Sequence, residues 1–146
     1  ALLAALSGFV EELTFRGLML TAFLPRGGWY AVIASSLIFG LAHAMNVLGG
    51  SNPLYVVIQI VYALAIGFGF GAMALHGRML WPLMAAHALG NFIAFINTDS
   101  GQITGGIVSP QLYIVSLVYI LTFGGYGLYL MRQPVPPATA LETVES

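Results

Sequence analysis

Cysteine is absent from the 146 residues, and so is lysine. The first absence excludes a disulfide framework, a cysteine nucleophile and a thiolate-bound metal. Charge of either sign is scarce: four arginines and five acidic residues make up 6% of the chain, where an average soluble domain carries about 25%. So little charge cannot cover a water-facing surface, which excludes a water-soluble domain. A hydrophobic content of 59% excludes an intrinsically disordered one. The net charge of −1 leaves no electrostatic footprint for a nucleic acid partner. What remains is apolar, with a mean hydropathy of +0.92 and 18 glycines, a residue common in packed transmembrane helices. The expectation is an integral membrane protein with lipid as its surroundings.

A transmembrane helix needs about 20 mostly apolar residues, and the breakers divide the chain into five such stretches: 1–24, 29–48, 54–75, 79–96 and 112–131. The expected fold is all-α, a polytopic transmembrane helix bundle. The chain opens at Ala1 on an apolar run, with neither an initiator Met nor a basic leader. It therefore reads as a piece of a longer membrane protein and not as a signal peptide. Residues 1–132 form the expected domain, and the Pro-rich stretch 133–146 an expected disordered tail. If the five helices alternate, Arg26, Arg78 and Arg132 share one face, while the loops around Ser51 and Asp99 hold no basic residue. The positive-inside rule then places the arginine face and the C-terminal tail in the cytoplasm, with the plasma membrane as the expected location. Trp29, Trp81, Tyr113 and Tyr129 fall near helix ends, as in an interfacial aromatic belt, though ordinary packing explains any one of them equally well. The alternating glycines Gly67, Gly69 and Gly71 read as a close-packing helix face, and the stretch 101–106 as a connector.

Against this background the first helix carries Glu11, Glu12 and Arg16 within about one and a half turns. An ionisable residue deep in a bilayer costs at least ~2.5–3.5 kcal/mol. Glu12 and Arg16 are spaced i,i+4 with the acid first, the favourable order for a helical ion pair, so their expected role is structural. Glu11 is turned about 100° away and needs a polar neighbour. His43 on the second helix and His87 with Asn91 on the fourth are the candidates. A lone helical histidine is more often a packing residue than a ligand. Depth favours the functional reading: Glu11 and His43 are equally far in sequence from the turn at Gly27, roughly 24 Å along each helix. His87 and Asn91 share a helix face at i,i+4, and Ala85, Ala86, Ala88 and Gly90 permit close approach of neighbours.

A carboxylate, two imidazoles and a carboxamide suit hydrolysis. The acid can take a proton from water and a histidine can orient it, while a second histidine and an amide can donate to an oxyanion. Two histidines and a glutamate (Glu11, His43, His87) also form a possible zinc set, although no His-Glu-x-x-His helix is present. No Gly-x-Ser-x-Gly marks a serine protease. A packing-only scaffold and a proton-coupled carrier compete with hydrolysis. Broken helix pairs, which would favour the carrier, are not visible in the sequence.

Three motifs sharpen the choice. Glu11-Glu12-Leu13-Thr14-Phe15-Arg16, Phe39 to His43, and His87 to Asn91 resemble the EExxxR, FxxxH and HxxxN motifs of the CAAX prenyl endopeptidase and bacteriocin-processing (CPBP, or Abi) membrane proteins, a family that includes lysostaphin-resistance-type members. All three occur in order over about residues 1–91. The resemblance implies an intramembrane endopeptidase of about eight helices, five of them here. It implies that Glu11 and His43 activate water, that His87 and Asn91 hold the oxyanion, and that Glu12, Arg16 and Phe39 support the motif. The implied substrate is a peptide or protein, prenylated for the eukaryotic members. The family has been described both as glutamate-type and as metal-dependent. The expectation is no cofactor, with zinc on Glu11, His43 and His87 as the alternative. Bacteriocin self-immunity without catalysis is the other reading the family allows.

Overall fold

Pro25, the Gly49-Gly50 pair and Pro53 interrupt the apolar runs, and the chain bends at each of them. The computed structural model describes residues 2–77, 79–96, 103–104 and 107–135. Five helical rods carry most of these residues: α1 (2–26), α2 (Gly28–Val47), α3 (Pro53–Gly77), α4 (Trp81–Ile96) and α5 (Pro110–Met131). Between α1 and α2 the chain turns at Gly27, whose φ of +104° is strained for any residue with a Cβ. The Asn52 side chain caps α3 by accepting the Leu54 N–H at 2.9 Å, and Pro53 fills the first helical position. Ser109 and Pro110 repeat this arrangement on α5, with Ser109 Oγ accepting the Leu112 N–H at 3.3 Å.

Three of the five rods, α2, α3 and α5, are long and apolar enough to cross a membrane. Two fall short of that measure for different reasons. Helix α4 has 16 residues, about 24 Å against a hydrocarbon core of about 30 Å, and α1 carries the charged cluster. The region expected as a plain loop also holds a short ladder: β1 (Ile103–Thr104) pairs antiparallel with β2 (Ile107–Val108), four β-branched residues that suit strand backbone. The expectations attached to Arg78, Asp99, most of 101–106 and the tail from residue 136 lie outside the described residues.

Packing follows the small residues. Gly67 and Gly71 on α3 face Ser36 and Val32 of α2, while Gly69, on the other side of the helix, meets Phe123 of α5. The alternating glycines are therefore two packing faces on one helix, which lets α3 serve as the central rod. Gly8 does the same for α1: a Cβ there would stand 2.6 Å from the Ala88 backbone nitrogen. Of the small residues expected to admit neighbours on α4, only Ala88 is used this way. Ala85 and Ala86 are exposed, and a Cβ on Gly90 would meet open space. One cluster, Leu20, Ala31, Val32, Phe70, Ala72, Ala74, Leu83 and Met131, draws a buried side chain from every rod. It lies toward the end of the bundle that carries Arg26 and Arg132, where His76 Nε2 also approaches the Gln133 carbonyl at 3.4 Å. The outer faces are apolar, with Leu3, Leu48 and Trp81 largely exposed. Trp29, Tyr113 and Tyr129 also stand outside the core.

Candidate active site

Helix α1 does not run straight through its charged turn. It is α-helical over Leu2–Glu12, π-helical over Leu13–Met19 and α-helical again over Leu20–Phe23. The Leu20 N–H reaches back five residues to the Phe15 carbonyl, the wide-turn pattern that concentrates at functional sites. Glu12 ends the first α segment and Arg16 lies within the π segment. The expected ion pair forms: Glu12 Oε1 and Arg16 Nη1 are 2.7 Å apart and both side chains are buried. The same Glu12 Oε1 also accepts from His87 Nδ1 at 2.6 Å, so Glu12 holds the histidine of α4 as well as the arginine of its own helix. Spacing within one helix reveals the first contact. The second depends on how α1 and α4 are rotated toward each other, which no pattern in the sequence records.

Glu11 faces the same ring from the other side. Its Oε2 is 3.5 Å from His87 Nε2, and its Oε1 accepts from the Ser7 hydroxyl. Asn91, one turn beyond His87, donates from Nδ2 to Ser7 Oγ at 3.3 Å. Ser7 thus links the α4 carboxamide to the α1 acid. The motif reading passes over this serine, although its i,i+4 spacing from Glu11 marks it as sharing that face.

On α2 the regular helix ends at Ala42, and His43 opens a 3-10 turn, His43–Val47. His43 Nδ1 lies 3.0 Å from the Phe39 carbonyl. A carbonyl can only accept, so Nδ1 carries a proton and Nε2 is the nitrogen left to act as an acceptor. Phe39 is 2% exposed and lies among the site residues. Its ring meets Phe15, His43 and His87 edge-on, with centroids 5.1, 5.0 and 5.6 Å away. The Arg16 guanidinium sits 4.3 Å from its centroid, a cation–π contact.

Two adjoining cavities open beside these groups. One, of about 490 Å³, is lined by Ser7, Glu11, Phe39, His43 and Asn91 among others. The second, about 530 Å³, shares Phe39, His43 and Asn91 and adds His87 together with Ile66, Phe70, Leu112, Val115 and Phe123. The four residues expected to carry chemistry therefore border these two adjoining cavities, with Glu11 on the first and His87 on the second. The third histidine, His76, hydrogen-bonds the Ala72 carbonyl near the arginine end and takes no part.

The zinc alternative finds no matching geometry. Among the described residues no three His, Cys, Asp or Glu side chains are grouped to hold a metal ion, and His87 has one nitrogen on Glu12 and the other toward Glu11. Within the Glu12–Arg16 pair, the buried atoms Glu12 Oε2 and Arg16 Nη2 have no hydrogen-bond partner. A buried polar atom left unsatisfied costs about 1–3 kcal/mol, so the cluster is expensive for a mere packing device.

The fold and the site together define a class: a membrane helix bundle with an acid, two imidazoles and a carboxamide gathered beside two adjoining open cavities. Residues 1–93 match the family model described as Type II CAAX prenyl endopeptidase Rce1-like, and the chain belongs to that family. Neither the curated proteins nor the solved structures include a match. The family and the three long apolar helices identify an integral membrane protein of the CAAX protease type.

Proposed function

We propose that this chain hydrolyses peptide bonds within the membrane by a metal-free mechanism, with Glu11 and His43 activating water and His87 and Asn91 holding the oxyanion. One observation carries the reading: Glu11 stands 3.5 Å from His87 and borders the same cavity as His43 and Asn91. A water in that cavity meets two proton acceptors, the Glu11 carboxylate and the free Nε2 of His43. As the water attacks the carbonyl carbon of the substrate, its proton passes to Glu11 and the carbonyl oxygen gains charge. The Asn91 amide and an Nε2–H of His87 donate to that oxygen. Glu12 accepts from Nδ1, so an Nε2–H makes His87 an imidazolium, and the carboxylates of Glu11 and Glu12 together balance it and Arg16. Collapse of the tetrahedral intermediate breaks the C–N bond, and Glu11 returns its proton to the leaving amine.

The substrate is a membrane-associated peptide or protein of the CAAX class, and the site lies in a plasma-membrane protein whose C-terminal tail is cytoplasmic. The test is cleavage of a farnesylated CAAX reporter peptide by the full chain in proteoliposomes. Glu11→Gln and His43→Ala each lower turnover by at least ~10²-fold while the protein remains inserted and folded, and a metal chelator leaves the wild-type rate unchanged. Full activity in both variants would overturn the roles given to Glu11 and His43, and no cleavage by the wild-type chain would return it to the non-catalytic scaffold reading. Loss of activity on chelation, restored by zinc, would overturn the metal-free mechanism alone.

A further inference from the structure

Between Gly27 and Gly77 there is no charged residue, yet α2 and α3 bring two carboxamides together on the wall of the first cavity. Asn46 Nδ2 donates to Gln59 Oε1 at 2.9 Å, and both side chains are half-buried. Each carboxamide offers two N–H donors and one oxygen acceptor, so one mutual bond leaves the Asn46 oxygen as an acceptor and three N–H donors, one on Asn46 and two on Gln59. Exchanging O and N in both side chains reverses these assignments and still leaves a free oxygen on one residue and an NH2 group on the other. The pair can therefore satisfy a single peptide unit, which has one N–H to donate and one C=O to accept.

Position supports the match. Asn46 lies three residues after His43 within the 3-10 turn His43–Val47, where side chains at i and i+3 eclipse one another. The tightened turn therefore aligns Asn46 beneath His43. Asn46 and Gln59 line the cavity that Ser7, Glu11, His43 and Asn91 also line, and Gln59 with Tyr55 continues into the second, more apolar cavity. In such surroundings an unsatisfied peptide group is costly, because there is little water to hydrogen-bond it.

We propose that Asn46 and Gln59 form a main-chain clamp that holds one peptide unit of an extended substrate beside Glu11 and His43. The proposal rests on the hydrolase reading and adds to it a substrate-binding element outside the three motifs. Recognition of this kind reads the backbone and is indifferent to the side chain at that position, as in strand-addition modes of peptide binding. It also fixes the scissile carbonyl at a constant distance from the acid.

The experiment measures binding of a farnesylated CAAX peptide to the full-length Glu11→Gln chain by fluorescence anisotropy, together with a series in which each backbone amide is N-methylated in turn. Methylation at one position is expected to weaken binding about tenfold, the loss of roughly one hydrogen bond and its steric fit. Introducing Gln59→Met with Asn46→Leu into the same chain is expected to weaken binding of the unmethylated peptide by a similar factor and to abolish discrimination at that position. Equal binding across the methylated series overturns the clamp, as does a double variant that discriminates as before or a chain that does not bind the peptide. The methylated series is read on the chain with Asn46 and Gln59 intact, so a folding defect in the double variant cannot mask the answer. The hydrolase reading fails separately, through absence of cleavage by the unsubstituted chain.

Discussion

His87 is the residue on which the site turns, because both of its nitrogens meet carboxylates of α1, Glu12 at 2.6 Å and Glu11 at 3.5 Å. The two acids are neighbours in sequence and differ in their company. Glu12 is fully buried against Arg16, while Glu11 is half-buried on the cavity wall. Removing either member of the buried pair leaves an uncompensated charge, a defect that typically costs about 3–5 kcal/mol. Arg16→Met is thus expected to lower thermal stability sharply in a detergent melting experiment, whereas Glu11→Gln is expected to change it little. Equal destabilisation by both would contradict the division of roles. Ser7 provides a finer test. It donates to Glu11 and accepts from Asn91, so Ser7→Ala should reduce kcat about tenfold with KM unchanged, the pattern of a lost transition-state interaction. Ser7→Thr, which keeps the hydroxyl, should restore much of the rate. A mere packing role would show no such rescue.

At the scale of helices, the site depends on how closely α1 approaches α4, and Gly8 sets that approach. Because a Cβ would meet the Ala88 backbone, Gly8→Val must push the helices apart, with strain of typically 1–3 kcal/mol and separation of Glu11 from His87. The expected outcome is lost cleavage with the chain still inserted, checked by comparing activity with a protease-protection assay of topology. Much of this level is legible in the residues. The breakers at Pro25, Gly49 and Pro53 bound the rods, and the i,i+4 spacing of Glu12 and Arg16 predicts their ion pair. The alternating glycines of α3 predict close packing. What the pattern does not give is relative rotation: that Glu12 rather than Glu11 takes the shorter bond to His87, that Ser7 joins the network, and that Gly90 packs against nothing. The wide turn at Leu13–Met19 and the 3-10 turn at His43–Val47 are also unmarked by the spacing of apolar residues. The ladder at β1 and β2 did have a signal, its β-branched pairs, which length-based reading of apolar runs overlooks.

For the molecule as a whole, the five rods meet in one buried cluster near the arginine end, while the polar site lies farther along the bundle. The absence of native cysteine makes orientation directly measurable. Gln133→Cys should resist a membrane-impermeant thiol reagent applied from outside intact cells, and Ser51→Cys should react with it, because alternating helices put these positions on opposite faces and the proposed orientation puts the arginine-rich face in the cytoplasm. The reverse labelling pattern would invert the topology and leave the site chemistry untouched.

The stretched turn of α1 has a final consequence for heredity. Loss of a single codon anywhere in 13–19 would let the helix rewind to its ordinary pitch, which is the relaxed conformation for a free helix. A wide turn holds about one residue more than the ordinary turn it replaces, so everything upstream would keep nearly its present bearing and the proton acceptor would stay on the shared wall. A single loss in the regular stretch that follows, 20–23, would instead swing everything upstream by about 100°. In-frame deletions of one residue at 17–19 should therefore be borne, while the same loss at 20–23 should yield proteins that insert and persist yet do nothing. The uneven tolerance of two adjacent stretches to shortening is a genetic signature of where the rod holds a spare residue.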